Sequence, residues 1–546
     1  MKISLAQLNY HIGNFESNTK KIIEHIALAK AEGADLVVFA ELAVCGYPPR
    51  DFLEFDEFIS LCEEAAVQIA EHCMGIACII GLPVRNDFIA GKDLYNGAYF
   101  IEEGQVKAVI RKALLPNYDV FDEYRYFEPA TQFECIDFKG TRIALTICED
   151  LWNINNNPLY VSNPMDVLIT QEPDVMINIA ASPFSYQHDD ERLAVLSGNA
   201  KKYKLPLLYV NQIGAQTEII FDGGSMVFDQ QGNLLDEMPY FKEHLRTYTL
   251  TGRNIEGYSP IEHVIVPDIE QIHDALVMGI KDYFSKSGFS KAVLGLSGGI
   301  DSAIVCALAC RALGPENVMA VLMPSKYSSD HSIKDAMDLV ENFGCKHEII
   351  AIKEAADAFD SMLANAFNGL AFNLTEENIQ ARTRGIVVMA MSNKFGYILL
   401  NTSNKSECAV GYGTLYGDMC GAIGVIGDVY KTQIYELAHY INKDGEVIPE
   451  NTIVKPPSAE LRPGQKDSDS LPDYDTLDAI LYQFIELKKS SRDIIALGYE
   501  ETLVRRIIKM VNAAEFKRYQ TPPILRVSPK AFGMGRRMPI VGKYLA

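Results

Sequence analysis

The chain lacks any hydrophobic run long enough to cross a membrane. A spanning helix needs about 18 or more largely apolar residues, and no stretch of the 546 residues has that character. Residues 1–7 alternate apolar and polar side chains, as a strand does, and show no hydrophobic leader segment. We therefore expect a cytoplasmic protein with no membrane partner.

Cysteine pairs with C-x-x-C spacing are also absent. The 11 cysteines are an odd number, and none are spaced as C-x-x-C. In the reducing cytoplasm such cysteines stay free thiols, and most are small core residues. We therefore expect neither a disulfide framework nor a zinc site.

Basic residues are in short supply. The chain has 50 Lys and Arg against 72 Asp and Glu, which gives a formal charge of −22. So negative a surface repels the phosphates of nucleic acids and favours solubility. We therefore expect no nucleic-acid partner.

The composition is that of a globular protein, and the length requires more than one core. Hydrophobic residues make up 48% and charged residues 22%, and 546 residues predict two large or three small domains. Residues 251–268 lack sustained periodicity and are rich in Gly, Pro and scattered charge. They predict a linker between a domain over 1–250 and a domain over 269–546.

Both predicted domains are of the α/β class. Short β-branched runs alternate with helical patterns, which predicts a layered α/β fold in the first domain and a doubly wound parallel sheet in the second. The predicted strands are 2–8, 36–39, 76–82, 98–101, 143–148, 175–179 and 207–211, then 292–296, 318–323 and 348–352.

The most informative motif opens the second domain. An apolar strand leads into Ser297, Gly298, Gly299, Ile300, Asp301 and Ser302, and a helix follows. Glycines and a helix N-terminus make an anion site, but the lysine of a G-x-x-x-x-G-K-[ST] loop is missing. Aspartate among phosphates requires Mg²⁺ between them. The motif resembles the pyrophosphate loop of enzymes that split ATP into AMP and pyrophosphate.

Three strand ends in the first domain carry reactive side chains. Glu41 follows one strand, Lys112 follows another, and Cys148 ends a third. Alone, each has an ordinary explanation as a rim charge or a core thiol. In this order and context they resemble the Glu–Lys–Cys triad of the nitrilase (carbon–nitrogen hydrolase) superfamily over residues 1–240, which implies a nitrilase-like α/β sandwich and a glutaminase activity.

The resemblance also implies a glutamine-binding set. Family members that use glutamine hold it with a tyrosine, a serine and a basic residue, and Tyr118 and Ser182 match the first two. At the basic position this chain has His188, which departs from the pattern.

Motifs in the second domain resemble the NAD synthetase family, and with the first half the whole chain is similar to its glutamine-dependent members. The motifs are 377–384, 402–407, 411–414 with 417–418, and 455–461. The resemblance implies that Gly295, Leu296, the 297–302 loop, Thr402, Lys431 and Ser458 contact ATP. It implies that Asn378, Glu407 and Lys517 face deamido-NAD, and that Asp301 and Glu407 bind Mg²⁺.

The implied reaction is the ATP-dependent amidation of deamido-NAD with ammonia from glutamine. An adenylate is destroyed by water, so the site must close, and loops 326–330 and 456–472 are the predicted lids. The resemblance further implies a passage for ammonia and a homo-oligomer with a twofold synthetase interface. The alternatives are another glutamine-dependent ATP-pyrophosphatase amidotransferase and a non-catalytic dinucleotide-binding relative.

Overall fold

The computed structural model describes residues 1–88, 90–154 and 158–544. Its contacts divide the chain into two compact units, Met1–Ile265 and Val266–Ala546. Within the described residues, no helix combines the length and the apolar character needed to cross a membrane.

The first unit is built on two mixed sheets. One has the strand order β15-β14-β1-β2-β3-β4-β5 and the other β13-β12-β9-β8-β7-β6, with β10 and β11 forming a separate hairpin. The strands are β1 Lys2–Gln7, β2 Leu36–Val38, β3 Ala77–Arg85, β4 Leu94–Glu102, β5 Gln105–Arg111, β6 Ile136–Phe138, β7 Thr141–Ile147, β8 Val175–Ile179, β9 Leu207–Val210, β10 Ile213–Gln216, β11 Ile219–Asp222, β12 Met226–Phe228, β13 Leu234–Glu237, β14 His244–Thr251 and β15 Asn254–Glu256.

The helices of this unit cover the sheets. They are α1 Phe15–Ala31, α2 Asp56–Glu71, α3 Glu123–Tyr126, α4 Pro164–Leu168 and α5 His188–Tyr203, with 3₁₀ turns at Arg50–Glu54, Cys148–Leu151 and Ile169–Gln171. Ile79 of β3 packs in a core shared with the second sheet, whereas Ile80 packs in the core that includes Ile69 of α2. Because both faces of the sheet are covered, its central strands are apolar throughout. The predicted α/β sandwich is confirmed.

The second unit contains a parallel sheet with the order β18-β17-β16-β19-β20. Its strands are β16 Ala292–Gly295, β17 Val318–Leu322, β18 Lys346–Ile349, β19 Ile398–Asn401 and β20 Ile423–Gly424. The chain runs from β16 outward to β18 and then returns to β19 on the other side of β16. Ligands bind at such a switch point in doubly wound sheets, and the predicted topology is confirmed.

Helices surround this sheet and extend into a C-terminal cluster. They are α6 Asp268–Lys286, α7 Ile300–Leu313, α8 Asp330–Phe343, α9 Lys353–Phe367, α10 Leu374–Phe395, α11 Lys405–Val410, α12 Lys431–Ile441, α13 Glu450–Val454, α14 Tyr474–Ile485, α15 Ser491–Ala496, α16 Glu501–Ala513 and α17 Glu515–Arg518, with 3₁₀ turns at Pro315–Asn317 and Asp467–Asp469. Apolar residues of α11, α14, α15 and α16 share one core.

Two predicted boundaries need correction. Residues 251–256 are not linker, because β14 continues to Thr251 and pairs with β15; α6 begins at Asp268. The strand predicted at 348–352 is Lys346–Ile349, an exposed edge strand. Its Lys-His-Glu sequence lacks the apolar pattern from which a buried strand is recognised.

Candidate active sites

Glu41 lies in the turn after β2 and is fully buried. Its Oε1 accepts hydrogen bonds from Asn96 Nδ2 at 2.6 Å and from Lys112 Nζ at 2.7 Å, and its Oε2 accepts one from Ala181 N at 3.0 Å. Gly81 of β3 lies so close to this turn that a Cβ atom at position 81 would be 2.3 Å from the backbone nitrogen of Leu42, the residue after Glu41. The glycine therefore permits the strand to pack against this turn.

Lys112 directly follows β5 and is held between two carboxylates. Besides Glu41, its Nζ donates to Glu123 Oε1 and Oε2 at 2.8 and 2.9 Å. Burial lowers the pKa of Lys112, but the charges of Glu123 and Glu41 outweigh it and bring the pKa well above its usual value. Tyr47 also donates to Glu123, at 2.8 Å. The ammonium is thus permanently charged and firmly oriented.

Cys148 begins the 3₁₀ turn after β7 with a left-handed backbone, at φ 42°. Asp150 fixes this turn, because its carboxylate accepts from Ile147 N at 3.0 Å and from Ala113 N and Leu114 N at 3.0 and 2.9 Å. The same side chain thereby ties the cysteine turn to the residues after Lys112. Such strain at one non-glycine residue is typical of functional sites.

Burial and the Glu41 charge raise the pKa of the Cys148 thiol well above its usual value, and the Lys112 charge opposes them. The resting thiol is therefore protonated at neutral pH and needs a base for nucleophilic attack. Glu41, the nearby carboxylate whose charge acts on the thiol, can serve as that base.

The next residue, Glu149, is held by two tyrosines. Its carboxylate accepts from Tyr118 OH at 2.9 Å and from Tyr160 OH at 3.0 Å. Burial raises the pKa of Glu149 to about 7, against the opposing charge of Lys112. Tyr118, one of the predicted glutamine contacts, is thus connected to the residue that follows the thiol.

Ser182 and His188, the other predicted glutamine contacts, lie together. Ser182 Oγ is 3.4 Å from His188 Nε2, and the backbone nitrogen of Ser182 donates to Asn211 Oδ1 at 2.9 Å. The His188 ring stacks on Trp152, with 5.2 Å between the centroids and 3° between the planes. The aromatic contact fixes the imidazole near the serine.

In the second unit the 297–302 loop joins β16 to α7. Gly298 has φ +81°, and a Cβ there would lie 2.1 Å from the Ser332 carbonyl oxygen. Ser302 Oγ accepts from Ser297 N at 3.2 Å and donates to Gly299 O at 3.0 Å. The loop is thus closed by its own serines at the N-terminus of α7, where the helix dipole favours anions.

Asp301 and Glu407 share one cation, the buried Lys431. Lys431 Nζ lies 2.5 Å from Asp301 Oδ2 and 3.7 Å from Glu407 Oε1. Asn404 donates to Asp301 Oδ1 at 2.9 Å and also caps α11. Burial and the Asp301 charge raise the pKa of Glu407 to about 8, although Lys431 opposes them. The pair therefore favours a cation.

A cavity of about 320 Å³ lies above the carboxyl ends of β16, β17 and β19. It has the size of a small-molecule site. The residues predicted to contact ATP or Mg²⁺ that line it are Gly295, Leu296, Ser297, Gly299, Ile300, Asp301, Ser302, Thr402, Glu407, Lys431 and Ser458. The predicted residues are therefore brought together from four separate stretches of the chain.

Gly298, Asn378 and Lys517 are not among the residues that line this cavity. Asn378 Oδ1 accepts from Thr414 Oγ1 at 2.8 Å, and Lys517 Nζ donates to Gly411 O and Gly413 O at 2.8 and 2.7 Å. Both side chains thus bond to loop 411–414, which contains the cavity residue Tyr412.

The two predicted lid segments are joined by Glu460. Its Oε1 accepts from Ser329 Oγ at 2.8 Å and from Ser332 Oγ at 2.9 Å. Ser458 donates to Gln465 O at 2.6 Å, within the same loop. A carboxylate thus occupies the N-terminus of α8 beside the cavity, where backbone N–H groups attract negative charge.

Sequence reasoning missed Glu123 as a site residue. It lies 11 residues after Lys112, between two of the predicted catalytic residues, so its position was a signal. Arg384 and Glu460, which line the cavity, were not singled out, although they lie in the 377–384 and 455–461 motifs that carried the NAD synthetase resemblance.

Comparisons with known proteins cover both units. The sequence matches the carbon–nitrogen hydrolase family over residues 2–258 and the NAD synthase family over residues 272–521. The glutamine-dependent NAD(+) synthetase of Synechocystis sp. is 46% identical over 547 residues, which cover 98% of this chain and 98% of that protein. That of Thermotoga maritima is 38% identical over 579 residues, covering 100% and 99%.

Solved structures agree with this assignment. A glutamine-dependent NAD+ synthetase from Acinetobacter baumannii in complex with ADP is 39% identical, has a TM-score of 0.78, and matches over 99% of this chain and 98% of its own. A glutamine-dependent NAD(+) synthetase from Cytophaga hutchinsonii has the same fold, with a TM-score of 0.84. It is 22% identical and matches over 100% of this chain and 98% of its own. The chain therefore belongs to the family of glutamine-dependent NAD(+) synthetases.

Proposed function

We propose that this protein converts deamido-NAD to NAD with ATP and glutamine, releasing AMP, pyrophosphate and glutamate. One observation carries the proposal. The same chain holds a buried thiol with a carboxylate and an ammonium in its first unit, and a pyrophosphate loop beside a paired-carboxylate cavity in its second. The match to glutamine-dependent NAD(+) synthetases over 98% of the chain supports it.

In the first unit, Cys148 acts as the nucleophile on the carboxamide of glutamine. Glu41 accepts the thiol proton, passes it to the departing ammonia and then activates the water that hydrolyses the thioester. The negative oxygen of the tetrahedral intermediate is stabilised by Lys112 and by the backbone N–H of Glu149. Glu123 acts as a positioning residue, because it holds Lys112.

Tyr118, Ser182 and His188 are the proposed contacts to glutamine. The support is their grouping: Tyr118 bonds to the residue after the thiol, and Ser182 directly follows Ala181, whose N–H bonds to Glu41. In this chain the imidazole of His188, stacked on Trp152, takes the place of the basic side chain found in related proteins.

In the second unit, backbone N–H groups of residues 297–302 bind the ATP phosphates, and Thr402, Lys431 and Ser458 contribute side chains. The carboxylate of deamido-NAD attacks the α-phosphorus and pyrophosphate leaves; ammonia then displaces AMP from the adenylate. Lys431 neutralises charge on the phosphates throughout. Asn378, Glu407 and Lys517 are the proposed contacts to deamido-NAD.

The carboxylates of Asp301 and Glu407 are the proposed Mg²⁺ ligands. The donor chemistry fits, because both are hard oxygen donors at one cavity wall. Burial and the charge of Asp301 raise the pKa of Glu407 to about 8, and an added cation would relieve this cost of ionisation. When bound, Mg²⁺ supplies charge neutralisation on the phosphate oxygens.

Two further features belong to the proposal. All 11 cysteines are free thiols, which supports a cytoplasmic location.

Helix α10, which reaches the cavity through Arg384, also exposes Ile386, Met389 and Phe395. Exposed apolar groups of this kind mark interfaces and support a homo-oligomer with a twofold synthetase contact, which a molar-mass measurement in solution tests.

The deciding experiment compares two nitrogen donors in one assay. Wild type and Cys148→Ala are supplied with ATP, deamido-NAD and either glutamine or ammonium, and NAD and AMP are measured. We expect Cys148→Ala to lose synthesis from glutamine and retain it from ammonium. Equal loss with both donors would contradict the division of labour. Failure of wild type to consume deamido-NAD would favour another amidotransferase or a non-catalytic relative.

A further inference from the structure

Three cysteines of the second unit lie close together near the edge strand β18 of its sheet. Cys306 and Cys310 lie four residues apart on α7, so they share one face of the helix, and Cys345 directly precedes β18. Their three Sγ atoms all lie within 4.8 Å of one another. Cys306 is fully buried, and Cys310 and Cys345 are each 5% exposed.

These distances are close to those of a thiolate metal site. Zinc–sulfur bonds of about 2.3 Å in a tetrahedron place the sulfur atoms about 3.8 Å apart. The limit of 4.8 Å between the Sγ atoms of Cys306, Cys310 and Cys345 exceeds that spacing by at most about 1 Å. The other described thiols form at most pairs under the same distance limit.

The chemistry of the cluster favours a cation. Three sulfur atoms within 4.8 Å of one another offer the donor type that soft divalent cations prefer. Water can supply a fourth ligand, as it does at zinc sites with three protein ligands.

We propose that Cys306, Cys310 and Cys345 form a binding site for one soft divalent cation of the Zn²⁺ class. The thiols that bind the ion release their protons to solvent. The bound ion links α7, whose first turn carries Asp301, to the edge strand β18. It is distinct from the Mg²⁺ site, because sulfur ligands select soft metals and carboxylates select hard ones.

The test is a titration of the full chain with Cd²⁺, a spectroscopic substitute for Zn²⁺, followed by its ultraviolet thiolate charge-transfer band. We expect wild type to bind one ion with a band of three-thiolate intensity. Removal of one ligand in Cys345→Ser should weaken binding at least about 100-fold, since loss of even an indirect partner of a ligand costs 10–100-fold. Cys78→Ser, which removes another buried thiol, is the matched control and should bind as wild type does.

Retained ammonium-dependent NAD synthesis, measured without added soft metal, shows that a variant is folded. If Cys345→Ser misfolds, Cys310→Ala provides a second variant. Zn²⁺ should raise the Tm of wild type and of Cys78→Ser but not that of the two cluster variants. The proposal is overturned if wild type shows no three-thiolate band. It is equally overturned if the band persists in folded Cys345→Ser or Cys310→Ala, which would place the ion at other thiols.

Discussion

Replacement of Glu123 by glutamine removes one of the two carboxylates that orient the Lys112 ammonium. In the structure Lys112 Nζ donates to both oxygens of Glu123 and to one oxygen of Glu41. In Glu123→Gln the ammonium keeps a single charged partner and is drawn toward it. It therefore leaves the position in which it would stabilise the oxygen formed when Cys148 attacks glutamine.

The size of the effect follows from the bonds that change. A hydrogen bond to a charged group contributes about 1.5–3 kcal/mol net, and the amide of Glu123→Gln retains one neutral acceptor. We expect a loss of about 2 kcal/mol in transition-state stabilisation, or about 30-fold in kcat/KM for glutamine. Folding should change little, because burial and the charge of Glu41 already raise the pKa of Glu123 and oppose its ionisation.

The assay measures NAD formation from glutamine and from ammonium with the same enzyme preparation. Ammonium-dependent synthesis should stay within about twofold of wild type, since Glu123 lies in the first unit. Glu54→Gln is the matched control: it makes the same change in an exposed ion pair with Arg125, where little energy is at stake. An unchanged kcat/KM for glutamine, or a parallel loss with ammonium, would refute the positioning role.

Three further predictions concern other parts of the molecule. Lys431→Met should lower ammonium-dependent NAD synthesis at least about 100-fold, because the two partly buried carboxylates of Asp301 and Glu407 lose their cation. Glutamate release from glutamine alone should persist, and loss of both activities would contradict the prediction. Gly298→Ala should lower the free energy of unfolding by about 3 kcal/mol in chemical denaturation, since its Cβ meets Ser332 O, whereas Gly288→Ala, with similar φ but open space, should cost about 1 kcal/mol. Folding raises the pKa of Glu149 from 4.5 to about 7, because the folded state favours the neutral carboxyl group. This preference stabilises the folded protein fully below pH 4.5, and the stabilisation is lost as the pH rises through about 7. When the pH is raised from 5 to 8, the free energy of unfolding of wild type should therefore fall by up to about 3 kcal/mol more than that of Glu149→Gln. Equal decreases in the two proteins would contradict the assignment.

The fold class, the family and the reactive residues at strand ends could all be predicted from the amino-acid sequence. Glu41, Lys112 and Cys148 each follow an apolar run, and the 297–302 loop joins a strand to a helix, so local order along the chain was sufficient. Ligands of α/β folds bind at the carboxyl ends of strands, so reactive residues at several strand ends are expected to meet there. Burial on both faces also makes the central strands strongly apolar and easy to recognise.

The side chains that hold these groups in place could be identified only from the folded protein. Lys431 meets Asp301 across 130 residues, Glu460 reaches Ser329 across 131, and Cys345 joins the thiols of α7 from the start of another strand. The edge strand β18 was misplaced for a related reason, since an exposed strand carries no apolar pattern. Contacts between distant segments depend on how whole elements pack, and a pattern of neighbouring residues does not encode that packing locally.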